Sequence, residues 1–455
     1  MSAPFHPKED SILTFKGFIE SIRRAAKNFK DIRKGKNKTY DKIEDFVMSA
    51  FSLFYLQSPS FLSFQREMES AQGNNNARTL FGIDKIPSDN HIRDMLDSED
   101  PKTLFPVFRD VFKGIHEAGW FKDFRGHSGD LLLSFDGTEF HSSNKIYCKH
   151  CKTKTYKDEH VNYSHAMVTA VLVKPGCSHV INLEPEFIIP QEGHTKQDSE
   201  IEASKRWLSS YGEAYQPYGL TILGDDLYAH EPFCKEVLSK KAHFIFTCLP
   251  SSHKTLYDFI EGLLRTKLAD EVEEKRWTGK RHEFDRYVYI NDVPLKEGKD
   301  ALRVNWCELT TTDSNGKILF HNTYVTDLMI DASNVSGIVA DGRARWKTEN
   351  ENNNTLKQRG YHLDHNFGHG TSNLCNVLAT LNLLAFLSHT ILAISSEAYQ
   401  KVRTKIGARY KFFEHLRILT HYILFESWDG LMHFILDHQK QKLNPESFVA
   451  GFNSG

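Results

Sequence analysis

Surplus positive charge is missing from this chain: 57 Lys and Arg stand against 59 Asp and Glu, a formal charge of -2. Nucleic-acid binders gain affinity by displacing counterions with cations, so any such role is confined to local basic patches. Cysteine is sparse and scattered, seven in 455 residues, which argues against a disulfide scaffold. The opening MSAPFHPKEDS holds no apolar core behind a basic start, and together these features predict a reducing, cytoplasmic setting. Long unbroken apolar runs are also lacking. The richest stretch, Leu374 to Ile394, is interrupted by Asn376, Thr380, Asn382, Ser388, His389 and Thr390, which predicts a buried helix and no membrane role. Internal repeats are absent, and the short cluster Asn352 to Asn354 is the nearest approach to low complexity. What is there, 40% apolar and 25% charged residues, is the composition of an ordinary globular protein with core for two or three domains.

Residues 1–125 place apolar side chains at helical spacing, as in Ile43, Phe46, Val47, Ala50, Phe51 and Phe54, with helix starts at Ser88 and Asp100. A Gly- and Asn-rich loop is expected from Gln72 to Arg78. The densest basic run lies in this helical region, with Arg23, Arg24, Lys27, Lys30, Arg33, Lys34, Lys36 and Lys38 facing only Asp31 and Asp41. It reads as a DNA-binding patch or as a solvated helix face.

The pattern changes near residue 126. LLLSF ends in Asp136-Gly137, strand-like segments follow at Ala166 to Val173 and His179 to Ile189, and a helix from Asp198 to Tyr211 leads to the strand YGLTILGDD. A further helix from Pro232 leads to the strand AHFIFTCL. Strands, a helical crossover and more strands predict an α/β mixed sheet flanked by helices over 126–249. Residues 250–320 read as a β-rich insertion of polar loops and strands. The strand NTYVTDLMI and a helix from Ser333 or Asn334 then return to the α/β domain over 321–370, and 371–455 is helical.

Two acidic residues stand at predicted strand ends, Asp136 and Asp225, with Asp-Gly at the first expected to turn the chain sharply. The carboxyl ends of strands are where α/β sites form. Taken singly, each aspartate is as well explained by a turn. A third acid, Glu349, follows Arg345 by four positions in RARWKTENENNNTLK, so on one helix they share a face. A guanidinium there would hold phosphate beside a metal-bound carboxylate, or the two would form an ordinary helix pair. Trp346 between them suggests that this helix is packed. Hard oxygen donors favour two Mg2+ or Mn2+ ions over zinc. Asp226 directly follows Asp225 and could serve in its place, while Glu351 is a weaker rival to Glu349.

The order of DGT after a first strand, GDDLYA after a fourth and RWKTE on a late helix resembles the D-D-E transposases of bacterial insertion sequences, and within them the type-four branch. LFGIDKIPSDNHIRDMLD and GHGTSNLCNVLATLNLLAFLSH extend the resemblance over most of the chain. It implies a ribonuclease-H-like core and a DNA transposase that binds terminal inverted repeats of double-stranded DNA, cleaves the strands and transfers them, as a homodimer in the synaptic complex. By position it implies Asp136, Asp225 and Glu349 as catalytic ligands, Arg345 as the phosphate-binding arginine and Lys357 as the signature lysine. Gly342 stands where the branch carries Tyr, and Lys357 is one residue out of place. These departures keep open a decayed DNA-binding copy or a nuclease without strand transfer. Trp277 and Trp306, in the insertion, would stack on a flipped base or form its small core.

A C-x-x-C, Cys148 and Cys151, precedes His160 and His165, a spacing that permits a Cys2His2 structural zinc site. The Lys-rich loop from Lys145 to Lys157, or His194, offers further phosphate contacts.

Overall fold

The computed structural model describes residues 7–8, 10–33, 42–190 and 198–438. They form two compact units: Met1–Gly114 with Arg359–Tyr361 and Val377–Gly455, and Ile115–Gln358 with His362–Asn376.

The first unit is helical. Thr14, Ser60 and Ser396 cap the helices Phe15–Ala26, Phe61–Met68 and Glu397–Ile406, each accepting a backbone N–H from the first turn. Its core is aromatic, with Phe15 stacked on Trp428 at 4.7 Å and Tyr55 on His389 at 4.1 Å. Residues 72–78, expected as a loop, lie within the helix Ala71–Phe81. Poor helix formers hold there because Asn76 is stitched to the chain after the helix Arg409–Tyr422. Its amide donates to Thr420 O and Ile423 O at 2.6 and 2.7 Å and accepts from Phe425 N at 2.9 Å. Tertiary bonds override propensity.

Leu374–Ser395 is the one helix among the described residues long and apolar enough to cross a membrane, and 89% of that stretch is buried in the protein. Two of its polar residues are tied internally: Asn382 donates to Tyr361 O at 2.8 Å. His389 Nε2 lies 3.0 Å from Tyr55 O and Nδ1 2.9 Å from the Tyr399 hydroxyl. A carbonyl only accepts, so Nε2 carries the proton and Nδ1 accepts from Tyr399.

The second unit is an α/β structure built on one mixed sheet flanked by helices. Its strands are β1 (Leu131–Ser143), β2 (Lys152–Thr155), β3 (Val161–Val173), β4 (Ile181–Asn182), β5 (Glu186–Ile188), β6 (Leu220–Gly224), β7 (His243–Thr247), β8 (Asp270–Trp277), β9 (His282–Pro294), β10 (Arg303–Asp313) and β11 (Ile318–Thr326). The order is β2-β3-β1-β6-β7-β11-β10-β9-β8, with β4 and β5 also paired to β3. β1 and β3 are antiparallel, whereas β6 and β7 run parallel to β1 and to each other. The parallel steps require crossovers, supplied by α1 (Glu200–Tyr215) and α2 (Glu231–Ser239).

The segment His179 to Ile189 is two short strands instead of one. Residues 250–320 open with a helix, α3 (Lys254–Arg265), and the four strands from β8 to β11 continue the same sheet through β11 against β7. The late helix is broken: α4 (Val335–Arg343) gives way to a turn, a π-helical segment Thr348–Asn353 and α5 (Asn354–Gln358). Arg345 and Glu349 therefore do not share one regular helical face.

Burial holds His389 neutral and lowers its pKa to about 3. The unfolded chain takes up this proton below its ordinary value of about 6.5, so the histidine's contribution is complete above that pH and is lost as pH falls towards 3. His389→Gln should lower the urea midpoint at pH 7.5, and the gap to wild type should narrow by pH 4.5. A gap independent of pH would show that His389 ionises alike in both states.

Candidate active site

Asp136 does not end a strand. β1 runs through it, and Asp136 pairs with Thr169 of β3. The partner on its other side ends instead: the parallel pairing of β1 with β6 runs from Leu131↔Leu220 to Ser134↔Leu223. Carrying that register two residues further sets Asp136 level with Asp225, just beyond the end of β6. Two adjacent parallel strands thus deliver two aspartates to one point of the sheet's edge.

The neighbouring acids part ways. Asp225 accepts Leu227 N at 2.9 Å and is among the charges acting on Asp136. Asp226 turns to the loop after β7, where it accepts Leu249 N at 2.5 Å and the Ser252 hydroxyl, with His253 Nε2 at 3.4 Å. Glu349, exposed on the π-helical segment, also acts on Asp136, whereas Glu351 lies beside His179. The π turn lets Asn353, four residues on, donate to Asp136 Oδ2 at 2.6 Å. Asn352 donates to Asn353 Oδ1 at 3.0 Å and accepts from Asn182 at 2.8 Å, so the asparagine cluster is a buried strut behind the aspartate. Such π segments are frequent at functional sites.

A fourth carboxylate went unrecognised in the sequence. Glu200, the first residue of α1, accepts Gly137 N at 3.0 Å and the Tyr228 hydroxyl at 2.8 Å. A Cβ on Gly137 would stand 2.2 Å from Glu200 Oε2, so the glycine serves close approach, not the expected turn. Burial first, then the Glu200 charge, raise Asp136 to about 7 against the pull of Arg345, with Asp225 and Glu349 adding to the rise. The only sequence signal for Glu200 is an acid behind the capping Ser199, which also suits the helix dipole.

Beside this site a concavity of about 290 Å³ is lined by residues including Asn322, Tyr324, Gly342, Arg343, Arg345 and Trp346. Trp346, expected to be packed, is 48% exposed. The Tyr324 ring lies 2.9 Å from where a Cβ on Gly342 would be, filling the space a side chain there would need. Lys357, half-buried in α5, forms no ion pair among the described residues.

Other expected contacts are divided. Trp306 is 1% exposed, with Nε1 3.4 Å from the Tyr257 hydroxyl, and belongs to the core; Trp277 at the end of β8 is 60% exposed. In the basic run, Arg33 is buried, paired with Asp31 at 2.9 Å and set over the Phe46 ring, and Arg23 donates to Gly82 O. Arg24, 3.3 Å from Asp110, and Lys27 and Lys30 face solvent. Lys34, Lys36, Lys38 and His194 lie outside the described residues. Cys148, Cys151 and His165 converge as expected, but the fourth member is His369; His160 is exposed and paired with Asp158 at 2.5 Å. Compared with known proteins, the chain matches no family model and no curated sequence.

Packing around the motif GDDLY gives a direct test. A Cβ on Gly224 would stand 2.7 Å from the Tyr228 ring close to its backbone, where no rotamer relieves it, while one on helical Gly212 meets nothing within 4 Å. Gly224→Ala should cost about 1–3 kcal/mol in urea unfolding, and Gly212→Ala should stabilise by about 0.5–1 kcal/mol. Equal effects would contradict the packing described.

Proposed function

We propose that this protein is a metal-dependent DNA transposase with a ribonuclease-H-like core, acting on double-stranded DNA through Asp136, Asp225 and Glu349. The observation that carries the reading is the shared level of Asp136 and Asp225 on parallel β1 and β6, with Glu349 brought in from the late helix. The strand order β3-β1-β6-β7, with the first pair antiparallel and the others parallel, supports the core assignment.

The donor set fits Mg2+ or Mn2+. Three carboxylates supply hard oxygen, and Arg345 is the one cation among the leading charges on Asp136, so acidic charge is in excess there. When bound, such ions supply Lewis-acid activation of a water or 3′-hydroxyl and stabilise the leaving oxygen of an in-line displacement. The chain's own groups orient the site. Asn353 fixes one oxygen of Asp136, and Glu200, held by Tyr228 and Gly137 N, constrains the backbone beside it. Arg345, with Arg343 and exposed Trp346 in the adjoining concavity, would grip the DNA backbone next to the scissile phosphate.

The test uses DNA flanking the protein's own coding region, with Mg2+. Wild type should nick and join strands, and Asp136→Ala, Asp225→Ala and Glu349→Ala should each abolish both steps while still binding DNA. Asp226→Ala should retain activity. Arg345→Ala should weaken the reaction about 10- to 100-fold, the worth of one charge-assisted hydrogen bond. Cleavage persisting in the carboxylate variants would overturn the assignment, and wild-type binding without cleavage would instead mark a decayed copy.

A further inference from the structure

The strongest unassigned feature is the meeting of Cys148, Cys151, His165 and His369, four side chains whose ligand atoms all lie within 4.8 Å of one another. We propose that they bind one structural Zn2+ ion that ties the β1–β3 hairpin to the segment following α5.

The four ligand atoms are spaced as the corners of a tetrahedron. Zn–S bonds of about 2.3 Å and Zn–N bonds of about 2.0–2.1 Å at tetrahedral angles set edges of about 3.8 Å for S–S, about 3.6 Å for S–N and about 3.3 Å for N–N. Cys148 Sγ and Cys151 Sγ are 3.9 Å apart, and the Nε2 atoms of His165 and His369 3.2 Å apart. Three sulfur-to-nitrogen edges are 3.4 Å for Cys148–His165, 3.3 Å for Cys151–His165 and 3.4 Å for Cys151–His369. Both imidazoles turn the same nitrogen inward. Two S–H groups donating to the two Nε2 lone pairs would account for two of these edges, but not for all four atoms facing one point with the two Nε2 atoms 3.2 Å apart. One cation at that point satisfies all four.

The surroundings match. The His150 N–H donates to Cys148 Sγ and the Cys148 N–H to Cys151 Sγ, each at 3.4 Å, as backbone donors do for thiolates. Beyond the first contacts, His369 Nδ1 lies 2.9 Å from Gly370 O, which accepts its proton and makes Nε2 the nitrogen that carries the ligating lone pair. Gly370, at φ 70°, turns the chain away immediately after the ligand. Three of the four side chains are buried, and with all four positions filled by protein the site is closed, as structural zinc sites are.

A second strap runs beside it: His150 Nδ1 lies 2.9 Å from Ser372 O. The ion would thus fix residues 362–376, which follow the Glu349 helix, against the hairpin that carries Asp136. It is distinct from the carboxylate site, with soft donors in place of hard ones.

Metal content tests this without any DNA reaction. Wild type purified reduced and without chelators should hold about one zinc per chain, and cobalt reconstitution should give the visible spectrum of a tetrahedral thiolate site. His160→Ala should keep the zinc, whereas Cys151→Ser and His369→Ala should lose most of it. A soft chelator that spares Mg2+ should lower the melting temperature by several degrees. Wild type free of zinc and without the cobalt spectrum would overturn the proposal, and this reading needs no variant to fold. A Cys148–Cys151 disulfide in the purified protein, or zinc loss in His160→Ala equal to that in His369→Ala, would overturn it as well.

Discussion

The arrangement depends on one electrostatic constraint: Asp136 must be held, partly out of water, beside other carboxylates. Bringing acids together costs free energy that the rest of the sheet edge has to offset. Three features around Asp136 follow from it. β6 stops where β1 continues, which opens room for Asp225 at the same level. Gly137 has no side chain, which lets Glu200 bond its backbone, and the asparagine pair behind Asp136 gives it a directed hydrogen bond from a neutral donor. Arg345 is the counter-charge the chain itself provides. Concentrated anionic charge of this kind is a poor device for stability and a good one for divalent cations, which is why the cluster is proposed as the working site.

Much of this edge was legible in the sequence. LLLSFDG and YGLTILGDD announce buried strand segments that each lead into an acid, and the crossover helix between them forces parallel pairing, so the two aspartates could be set on neighbouring strands. The resemblance already favoured Asp225 over Asp226, and the loop after β7 adds that Asp226 is engaged by Leu249 N and Ser252. Asp-Gly misled at residue 136: its usual meaning is a turn, and here the glycine answers to a carboxylate contributed 63 residues later.

What stayed hidden shares a cause, which is dependence on residues distant in the chain. His369 sits 204 residues beyond His165, and local spacing favoured His160 instead. Residues 72–78 look like a loop until Asn76 is seen bonded to residues near 420. The π-helical turn leaves no periodic trace, yet it decides that Asn353 reaches Asp136. Trp306 on β10 and Trp277 on β8 lie two strands apart in the same sheet, and only packing distinguishes the core ring from the exposed one.

The central claim is that Asp136, Asp225 and Glu349 form one site for hard divalent cations, and manganese binding followed by electron paramagnetic resonance tests it without knowledge of any DNA sequence. Wild type and Asp226→Asn should bind Mn2+ alike, and Asp136→Asn, Asp225→Asn and Glu349→Gln should each weaken binding at least about tenfold, equivalent to about 1.4 kcal/mol. Undiminished binding in those three variants, or its loss in Asp226→Asn with Asp225→Asn unaffected, would contradict the account.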